Sequence, residues 1–323
     1  MSKPLLEAEN ISVAFNGAEV VSQVSFSINP GEVLALVGES GCGKSSVSLA
    51  LTRLLPPQAQ ISADHIRFHS RSGSVDLAAV SNRQLRKYRG GGIAYIFQEP
   101  SVSLNPVMTV RSQIAEVLEL HGNGQGDLDK TIIELLSQVG IPDAKNRLKA
   151  YPHELSGGMQ QRVMIAMALA GDPELLIADE PTTALDVTVQ AQILELLDSL
   201  RKERGMAILL ISHNLGVVSA LADRIAVMYA GRIVEHACTR AVIDSPFHPY
   251  TRALLAAVPQ LGRACGRLQT IPGMVPLPSE YGKGCRFAGR CQECQKKCLE
   301  SSPVSIEIRP EHFCSCFQVE PKL

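Results

Sequence analysis

The stretch Gly38-Glu39-Ser40-Gly41-Cys42-Gly43-Lys44-Ser45 follows directly on the apolar run of residues 32–37. The run is typical of a buried parallel strand, and residues 46–51 are typical of a helix. A strand, a glycine-rich turn and a helix N-terminus form the context in which the pattern G-x-x-x-x-G-K-S marks a phosphate site. The alternative is a chance glycine-rich turn, which these flanks disfavour. The sequence therefore predicts a chain that binds a nucleoside triphosphate.

Each residue type in this phosphate loop (residues 38–45) has a physical reason to be there. Glycines allow backbone N–H groups to converge on phosphate oxygens, which a Cβ would obstruct. Lys44 places a positive charge toward the β- and γ-phosphates, and the hydroxyl of Ser45 can ligate Mg²⁺. We expect ATP and Mg²⁺ to bind here, with nucleotide contacts from Gly38, Ser40, Gly41, Cys42, Gly43, Lys44, Ser45 and Ser46.

Length and charge limit the classes of protein to consider. The chain has 323 residues and a formal net charge of −1, which gives no sign of a nucleic-acid-binding surface. No run of about 18 apolar residues is present, so we expect no membrane-spanning helix. The first residues lack the basic segment and apolar core of a secretory signal. We expect a soluble protein of the cytoplasm with no nucleic-acid partner.

Composition divides the chain near Asp244-Ser245. Beyond this point prolines become frequent and long apolar periods become scarce. The length allows one sizeable domain and a smaller appendage. We predict an α/β domain over residues 1–244 and an ordered but loop-rich C-terminal extension over residues 245–323.

Periodicity predicts the layout of the first domain. Residues 5–37 alternate β-branched stretches with turns, which favours an antiparallel β-subdomain. Residues 107–170 are mostly helical by their three- and four-residue spacing. The apolar runs 175–178 and 207–211 indicate buried parallel strands, and residues 224–235 indicate a hairpin.

Two carboxylates follow the apolar run 175–178. Asp179 and Glu180 stand at the predicted carboxyl end of a strand, where α/β sheets bind ligands. Asp179 can hold Mg²⁺, and Glu180 can polarise the attacking water as a general base. An Asp-Glu pair is often only a solvated turn, but the phosphate loop upstream favours the catalytic interpretation.

The stretch Leu155-Ser156-Gly157-Gly158-Met159-Gln160-Gln161-Arg162 resembles the signature sequence of the ABC ATPases. It lies between the two phosphate-site motifs, in the order of that family, with Met159 where Gln is usual. The resemblance implies an ABC-type ATPase fold, with a RecA-like core, an antiparallel β-subdomain and a helical subdomain. It also implies that this helix N-terminus caps the γ-phosphate of ATP on an opposite subunit, through Ser156, Gly157, Gly158 and Gln160.

Other motifs fit the same resemblance. Gln98 corresponds to the Q-loop glutamine, which contacts the metal and the attacking water and senses the membrane partner. Ala184-Leu185-Asp186 resembles the D-loop, and His213 matches the switch histidine that contacts the γ-phosphate. Phe15 stands where the family stacks an aromatic ring on adenine, although a core phenylalanine is an equally good interpretation.

Two further stretches resemble the dipeptide and oligopeptide importer branch of the family, namely residues 97–106 and residues 245–255 with their His-Pro-Tyr segment. Proteins of that branch work as a pair of ATPase subunits beneath two membrane permeases, fed by an extracytoplasmic binding protein. The resemblance implies a peripheral protein at the cytoplasmic face of the membrane. Nickel importers share these features, so the solute stays open, as does the choice between a paralogue and a second copy as the ATPase partner.

A non-transport ABC ATPase is the alternative from a different class. Such proteins usually carry a long coiled coil or a large insertion between the phosphate loop and the signature. The interval from Lys44 to Ser156 is short and has no sustained heptads, which favours a transport ATPase.

Six of the nine cysteines are concentrated in the C-terminal extension, at positions 285, 291, 294, 298, 314 and 316. In a cytoplasmic ATPase this favours a metal or cluster site over disulfides. The spacing resembles the cysteine pattern of many peptide-importer ATPases, some of which bind a [4Fe–4S] cluster. We expect a cluster on Cys285, Cys291, Cys298 and Cys316, with Zn²⁺ or free thiols as alternatives.

Overall fold

A computed structural model describes residues 3–121, 126–183, 185–257 and 271–320. Its strands are β1 (Leu6–Phe15), β2 (Ala18–Ile28), β3 (Val33–Val37), β4 (Ala59–Ser62), β5 (His65–Ser70), β6 (Gly73–Asp76), β7 (Ile93–Ile96), β8 (Leu175–Asp179), β9 (Ala207–Ser212), β10 (Arg224–Tyr229), β11 (Arg232–Cys238), β12 (Ile306–Arg309) and β13 (His312–Cys314). Its helices are α1 (Lys44–Leu51), α2 (Asn82–Leu85), α3 (Pro100–Ser103), α4 (Val110–His121), α5 (Leu128–Gln138), α6 (Ala144–Arg147), α7 (Gly157–Ala170), α8 (Val187–Arg204), α9 (Leu215–Leu221), α10 (Thr239–Asp244), α11 (Pro249–Ala256) and α12 (Lys296–Glu300).

The predicted antiparallel subdomain is present and is larger than the sequence indicated. Its strands run in the order β2-β1-β5-β6, and β4 pairs with the other end of β1. The segment of residues 59–76 supplies three of these strands, β4, β5 and β6. Side chains such as Ile11 and Phe68 are fully buried and form one core with residues from one face of the second, larger sheet.

The main sheet runs in the order β12-β13-β11-β10-β3-β9-β8-β7. The segment from β10 to β7 is parallel throughout, so the carboxyl ends of these strands meet at one edge. Strands β3, β8 and β9 are nearly all apolar and buried on both faces, as central parallel strands are. This edge is where the topology places a ligand.

The helical region lies on the other face of the main sheet. Helices α4 and α5 lie within the stretch predicted to be mostly helical, and both pack against α7. Buried residues from all three helices, such as Ile114, Leu136 and Ile165, share one core with α8 and the main sheet. None of the helices in the described ranges is both long and apolar enough to cross a membrane.

The C-terminal extension is more than the loop-rich appendage that the sequence predicted. Its strands β12 and β13 continue the main sheet, with Cys314 of β13 opposite Glu235 of β11. The buried carboxylate of Glu235 lies 2.7 Å from Nε2 of His312 and accepts the backbone N–H groups of Phe247 and His248. The extension is therefore anchored in the first domain, and the division at 244/245 stays a prediction.

Candidate functional site

The phosphate loop connects the end of β3 to the start of α1. Gly43 precedes the helix with φ 102°, a left-handed conformation that favours glycine. A Cβ on Gly38 would lie 2.1 Å from the carbonyl oxygen of Met228 in β10, so no larger residue fits there. The loop is thus held tightly against the neighbouring strand, with the N-terminus of α1 facing the edge of the sheet.

Lys44 is the buried cation of this loop. Its side chain is only 5% exposed, and its Nζ donates to the carbonyl oxygens of Gly38 at 2.8 Å and Glu39 at 3.0 Å. These bonds close the loop around a single positive charge. Such a charge beneath converging N–H groups is what an anionic phosphate requires.

A cavity of about 610 Å³ opens above the loop. This volume lies within the range of small-molecule sites, which is roughly 300–1,000 Å³. Predicted site residues that line it are Ser40, Gly41, Gly43, Lys44, Ser45, Ser46, Gln98, Glu180 and His213. Residues far apart in the chain therefore meet at the carboxyl edge of the sheet, whereas Gly38, Cys42 and Asp179 are not among the lining residues.

Three side chains converge on the carboxylate of Glu180. His213 Nδ1 lies 2.9 Å from one oxygen, while Thr183 Oγ1 and Gln98 Nε2 donate to the other at 2.9 and 3.2 Å. Burial alone would raise the pKa of Glu180, but the bonds from His213 and Thr183 and the charge of Lys44 outweigh it and lower the pKa. The carboxylate is therefore ionised at neutral pH and able to accept a proton.

The backbone of Glu180 is also unusual. Its φ is 47°, in the left-handed region that costs a residue with a Cβ some free energy. The backbone N–H of Glu180 donates to the carbonyl of Ile211 at 2.9 Å, which ties the end of β8 to β9. This conformation turns the side chain out of the strand and toward the cavity.

Asp179, the last residue of β8, offers an acceptor with no partner. Its Oδ1 is buried and has no hydrogen-bond partner among the described residues. Burial raises the pKa of Asp179, and the hydroxyl of Ser45 and the charge of Lys44 oppose that shift. A buried carboxylate oxygen beside a hydroxyl is a suitable ligand pair for Mg²⁺.

The signature residues lie at the start of α7 and do not line this cavity. Ser156 is the N-cap, and its Oγ accepts the N–H of Met159 at 3.4 Å. Gln160 Nε2 donates to the carbonyls of Pro152 and Leu155. Ser156 and Gly157 are exposed, and neither lines the cavity above the chain's own phosphate loop.

Of the predicted D-loop residues, Leu185 and Asp186 are described. Asp186 is the N-cap of α8, and its side chain accepts the N–H of Val189 at 3.0 Å. Ala184 lies outside the described residues. A Cβ on Gly158 would lie 3.2 Å from the Cγ1 of Val189, so the glycine permits close approach of α7 and α8.

Phe15, the predicted adenine platform, is not among the residues that line the cavity. It ends β1, is partly buried and packs against the core of the antiparallel subdomain. Val20 lines the cavity instead. Stacking on adenine stays a prediction, beside the core role that the sequence equally allowed.

The sequence did not single out Thr183, Glu39 or Leu254 as site residues, yet all three line the cavity. Thr183 follows Glu180 by three residues in a turn, a spacing that could have identified it. Leu254 belongs to α11 of the C-terminal extension. Local sequence gives no signal for Leu254, because only the folding of the extension back onto the loop brings it there.

The four cysteines predicted to bind metal line one small cavity in the extension. Burial raises the pKa of Cys285 and of Cys291, and it raises the pKa of Cys316 to about 11. Across the described residues, no group of three or more His, Cys, Asp or Glu side chains is arranged to hold a metal ion. The expected [4Fe–4S] or zinc site is therefore not supported.

The other two candidates have different surroundings. Cys314 is a buried residue of β13, and Cys294 is exposed. Neither lines the cavity shared by the four, although Cys294 lies beside Cys298.

Two family models match the chain. That of the ABC transporter matches residues 21–183, and that of the oligopeptide/dipeptide transporter C-terminal region matches residues 234–298. The second match begins in β11, ahead of the predicted division at 244/245.

Curated relatives match over nearly the full length. A protein of Brucella abortus named for peptide import and ATP binding is 50% identical over 306 residues, covering 93% of this chain and 91% of its own. A similarly named protein of Brucella ovis is 47% identical over 329 residues, covering 98% and 97%.

Solved structures share the fold. CbiO1 from Clostridium perfringens, part of the ABC transporter complex cbiONQ, is 25% identical with a TM-score of 0.60, over 76% of this chain and 92% of its own. The ATP-binding cassette MJ0796, solved as a dimer with ADP and Pi after hydrolysis, is 25% identical with a TM-score of 0.62, over 73% and 99%. The expected ABC-type fold is confirmed.

Proposed function

Because the chain belongs to the ABC transporter family of ATP-binding proteins, we propose that it hydrolyses MgATP to drive import of dipeptides or oligopeptides through a membrane permease. The observation that carries the hydrolytic part is the position of Glu180, whose carboxylate borders the same cavity as the phosphate loop and is held there by His213 and Gln98. The peptide part is supported by the match of the extension to the oligopeptide/dipeptide transporter region and by the names of the relatives.

Residues of the loop would bind the triphosphate. The backbone N–H groups of residues 38–46 and the ammonium of Lys44 provide the positive potential. Mg²⁺ would be held by three side chains: the hydroxyl of Ser45, the unpartnered oxygen of Asp179 and the amide of Gln98. Bound Mg²⁺ would supply neutralisation of charge on the β- and γ-phosphates.

Glu180 would act as the general base. Its ionised carboxylate accepts a proton from a water that lies between it and the γ-phosphate, which makes that oxygen a better nucleophile. His213 and Thr183 hold the carboxylate in orientation through its two oxygens. His213 would also reach the γ-phosphate, because its ring borders the same cavity.

A complete site would need a second ATPase subunit. The signature residues are exposed at the start of α7 and do not line the chain's own cavity. A head-to-tail pair would bring the Ser156 helix of one subunit to the phosphates on the other, and a solved relative is itself a dimer. The partner is a paralogue or a second copy.

The further assembly follows from the importer role. We place the pair at the cytoplasmic face of the membrane beneath two permease subunits, with an extracytoplasmic protein delivering the solute. Val102 in α3 and Val107, which follows α3, are 77% and 80% exposed and would face the permease. Exposed apolar residues on this scale suit a protein–protein contact.

Uptake by cells tests this function. A strain without the chain is complemented with the wild type or with Glu180→Gln, and uptake of labelled dipeptides, tripeptides and Ni²⁺ is measured. Peptide uptake restored only by the wild type is expected. Restoration of Ni²⁺ uptake alone would favour the nickel-importer alternative, and normal uptake of all solutes without the chain would favour a non-transport ABC ATPase.

We also propose that Cys285, Cys291, Cys298 and Cys316 receive a [4Fe–4S] cluster, with Zn²⁺ as the alternative. The support is that these four thiols line one cavity and that soft thiolates suit both groups. The lack of a metal-binding arrangement among the described residues weighs against it. Anaerobically purified protein with matching iron and acid-labile sulfide would support the cluster, stoichiometric zinc would support the alternative, and metal-free protein would overturn both.

A further inference from the structure

Two side chains of the C-terminal extension contact Glu39 of the phosphate loop. The backbone N–H of Glu39 donates to the hydroxyl of Tyr250 at 2.9 Å. The two terminal nitrogens of Arg290 each donate to one carboxylate oxygen of Glu39, both at 3.0 Å. The carbonyl oxygen of Glu39 accepts from Lys44. Every polar group of Glu39 is therefore engaged, and two of the three partners come from the extension.

Both partners from the extension are held in place before they meet the loop. Tyr250 is fully buried, and its ring packs against those of Tyr229 and Phe287, with centroids 4.6 and 5.4 Å apart. The side chain of Arg290 is 7% exposed, and its Nε donates to the carbonyl of Pro272 at 2.8 Å. A bidentate pair with this much burial is more than a surface ion pair, whose contribution is usually small.

The charge of Glu39 explains why such an arrangement is needed. Glu39 lines the cavity that would receive the triphosphate. A free carboxylate there would repel the phosphates in a partly desolvated site, where charge interactions are stronger than in water. Arg290 neutralises that carboxylate and draws it to the side of the extension.

We propose that Arg290 and Tyr250 are positioning residues for the phosphate loop. Arg290 removes a negative charge from the phosphate cavity, and Tyr250 fixes the backbone of Glu39 in the conformation that accepts the triphosphate. The C-terminal extension thus becomes part of the nucleotide site. The inference rests on the proposed binding of ATP, but it does not depend on which solute is transported.

A double-mutant cycle tests the charge argument in the full-length protein. Hydrogen bonds to charged groups contribute about 1.5–3 kcal/mol, so Arg290→Met should weaken binding of a fluorescent ATP analogue by about tenfold or more. Glu39→Gln supplies the reference affinity of a phosphate loop without this carboxylate, and the double variant is compared with it. The double variant should recover most of the loss, because the carboxylate that Arg290 neutralises is gone.

Recovery in the double variant separates this role from a structural one. Arg290 also contacts residues 271–273, and damage there would persist in the double variant. A double variant that binds as weakly as Arg290→Met would therefore overturn the charge argument. So would wild-type affinity in Arg290→Met. Arg252→Met is the matched control, because its ion pair in the extension is with Glu293 and not with Glu39.

Tyr250→Phe tests the contact of the Tyr250 hydroxyl with the backbone N–H of Glu39. This test remains valid even if Arg290→Met fails to fold. The ring and its packing remain, and only the acceptor for the N–H of Glu39 is lost. We expect the KM for ATP to rise about three- to tenfold, with kcat nearly unchanged, since one backbone hydrogen bond contributes about 0.5–1.5 kcal/mol. Tyr281→Phe is the control with the same change in the same extension.

The readouts separate this proposal from that of peptide import. A fall in kcat with an unchanged KM in Tyr250→Phe, or no change in either, would overturn the positioning role. Nucleotide affinity is measured without any permease or solute. Failure of peptide uptake would therefore refute the transport function and leave this inference standing, whereas unchanged affinities would refute the inference alone.

Discussion

Replacement of Glu180 by glutamine tests the assignment of the base. The side chain keeps its size and one carbonyl oxygen, but it loses the negative charge and the capacity to accept a proton. It also places an amide N–H₂ group where the carboxylate had accepted from Thr183, Gln98 or His213. At one oxygen position the amide faces the two donors Thr183 and Gln98, and at the other it faces His213, so the orientation of the side chain is weakened together with its basicity.

The expected magnitude follows from these two losses. General-base catalysis contributes roughly 10²–10⁴-fold, so kcat should fall by at least about a hundredfold. Binding of ATP should change by less than about threefold, because Lys44 and the backbone N–H groups of the phosphate loop, which would bind the triphosphate, are all retained. In terms of kinetics, the loss falls on kcat and leaves the KM nearly unchanged.

Release of phosphate measures kcat, and a fluorescent ATP analogue measures affinity. Glu174→Gln is the matched control, since Glu174 precedes the opposite end of the same strand and accepts the backbone N–H of Arg71. Turnover in Glu180→Gln within about tenfold of the wild type would refute the assignment. Equal losses in both variants would point to damage to β8 and not to the chemistry.

Four further outcomes are expected. Lys44→Ala should weaken ATP binding by about tenfold or more, as loss of a charged hydrogen-bond donor predicts, in the same fluorescence assay. Because the pKa of Glu180 is lowered, hydrolysis should persist as the pH falls toward the ordinary glutamate range, in a pH–rate profile. Glu235→Gln should destabilise the fold by about 1–3 kcal/mol in urea titrations. A cysteine at Val102 should cross-link to a membrane protein in cells, whereas one at Leu104, which is 1% exposed, should not.

The sign of the Glu235 effect follows from its titration. Burial alone would raise the pKa of Glu235, but the bonds from His312 and from the backbone N–H groups of Phe247 and His248 outweigh it and lower the pKa. A carboxyl whose pKa is lower in the folded state stabilises the fold above its unfolded pKa. That stability is lost as the pH falls through the folded value. Glu235→Gln should therefore flatten the acid limb of the stability curve.

The part of the site that lies on one strand end or one helix start could be predicted from the sequence. Gly43, Lys44 and Ser45 are positioned by a local strand–loop–helix unit, and Glu180 by the end of β8. Their meeting point also follows, because parallel strands bring their carboxyl ends to one edge. Local pattern and sheet direction were sufficient for these residues.

The sequence could not predict contacts that depend on how the extension folds. The strands β12 and β13 are four and three residues long, too short to show the alternation that marks a strand. Their place beside β11 depends on the buried pair of Glu235 and His312, which are 77 residues apart in the chain. The contacts of Tyr250 and Arg290 with Glu39 are non-local in the same way.

These non-local contacts form one continuous connection between the sheet and the nucleotide site. Glu235 of β11 accepts the N–H groups of Phe247 and His248, which immediately precede α11. His248 then accepts the N–H of Tyr250 through its Nδ1, and Tyr250 accepts that of Glu39. Because each of these hydrogen bonds positions the backbone of the next residue, a substitution of Glu235 should also alter the conformation of the phosphate loop. The extension is therefore better understood as the outer wall of the ATP site than as a separate appendage.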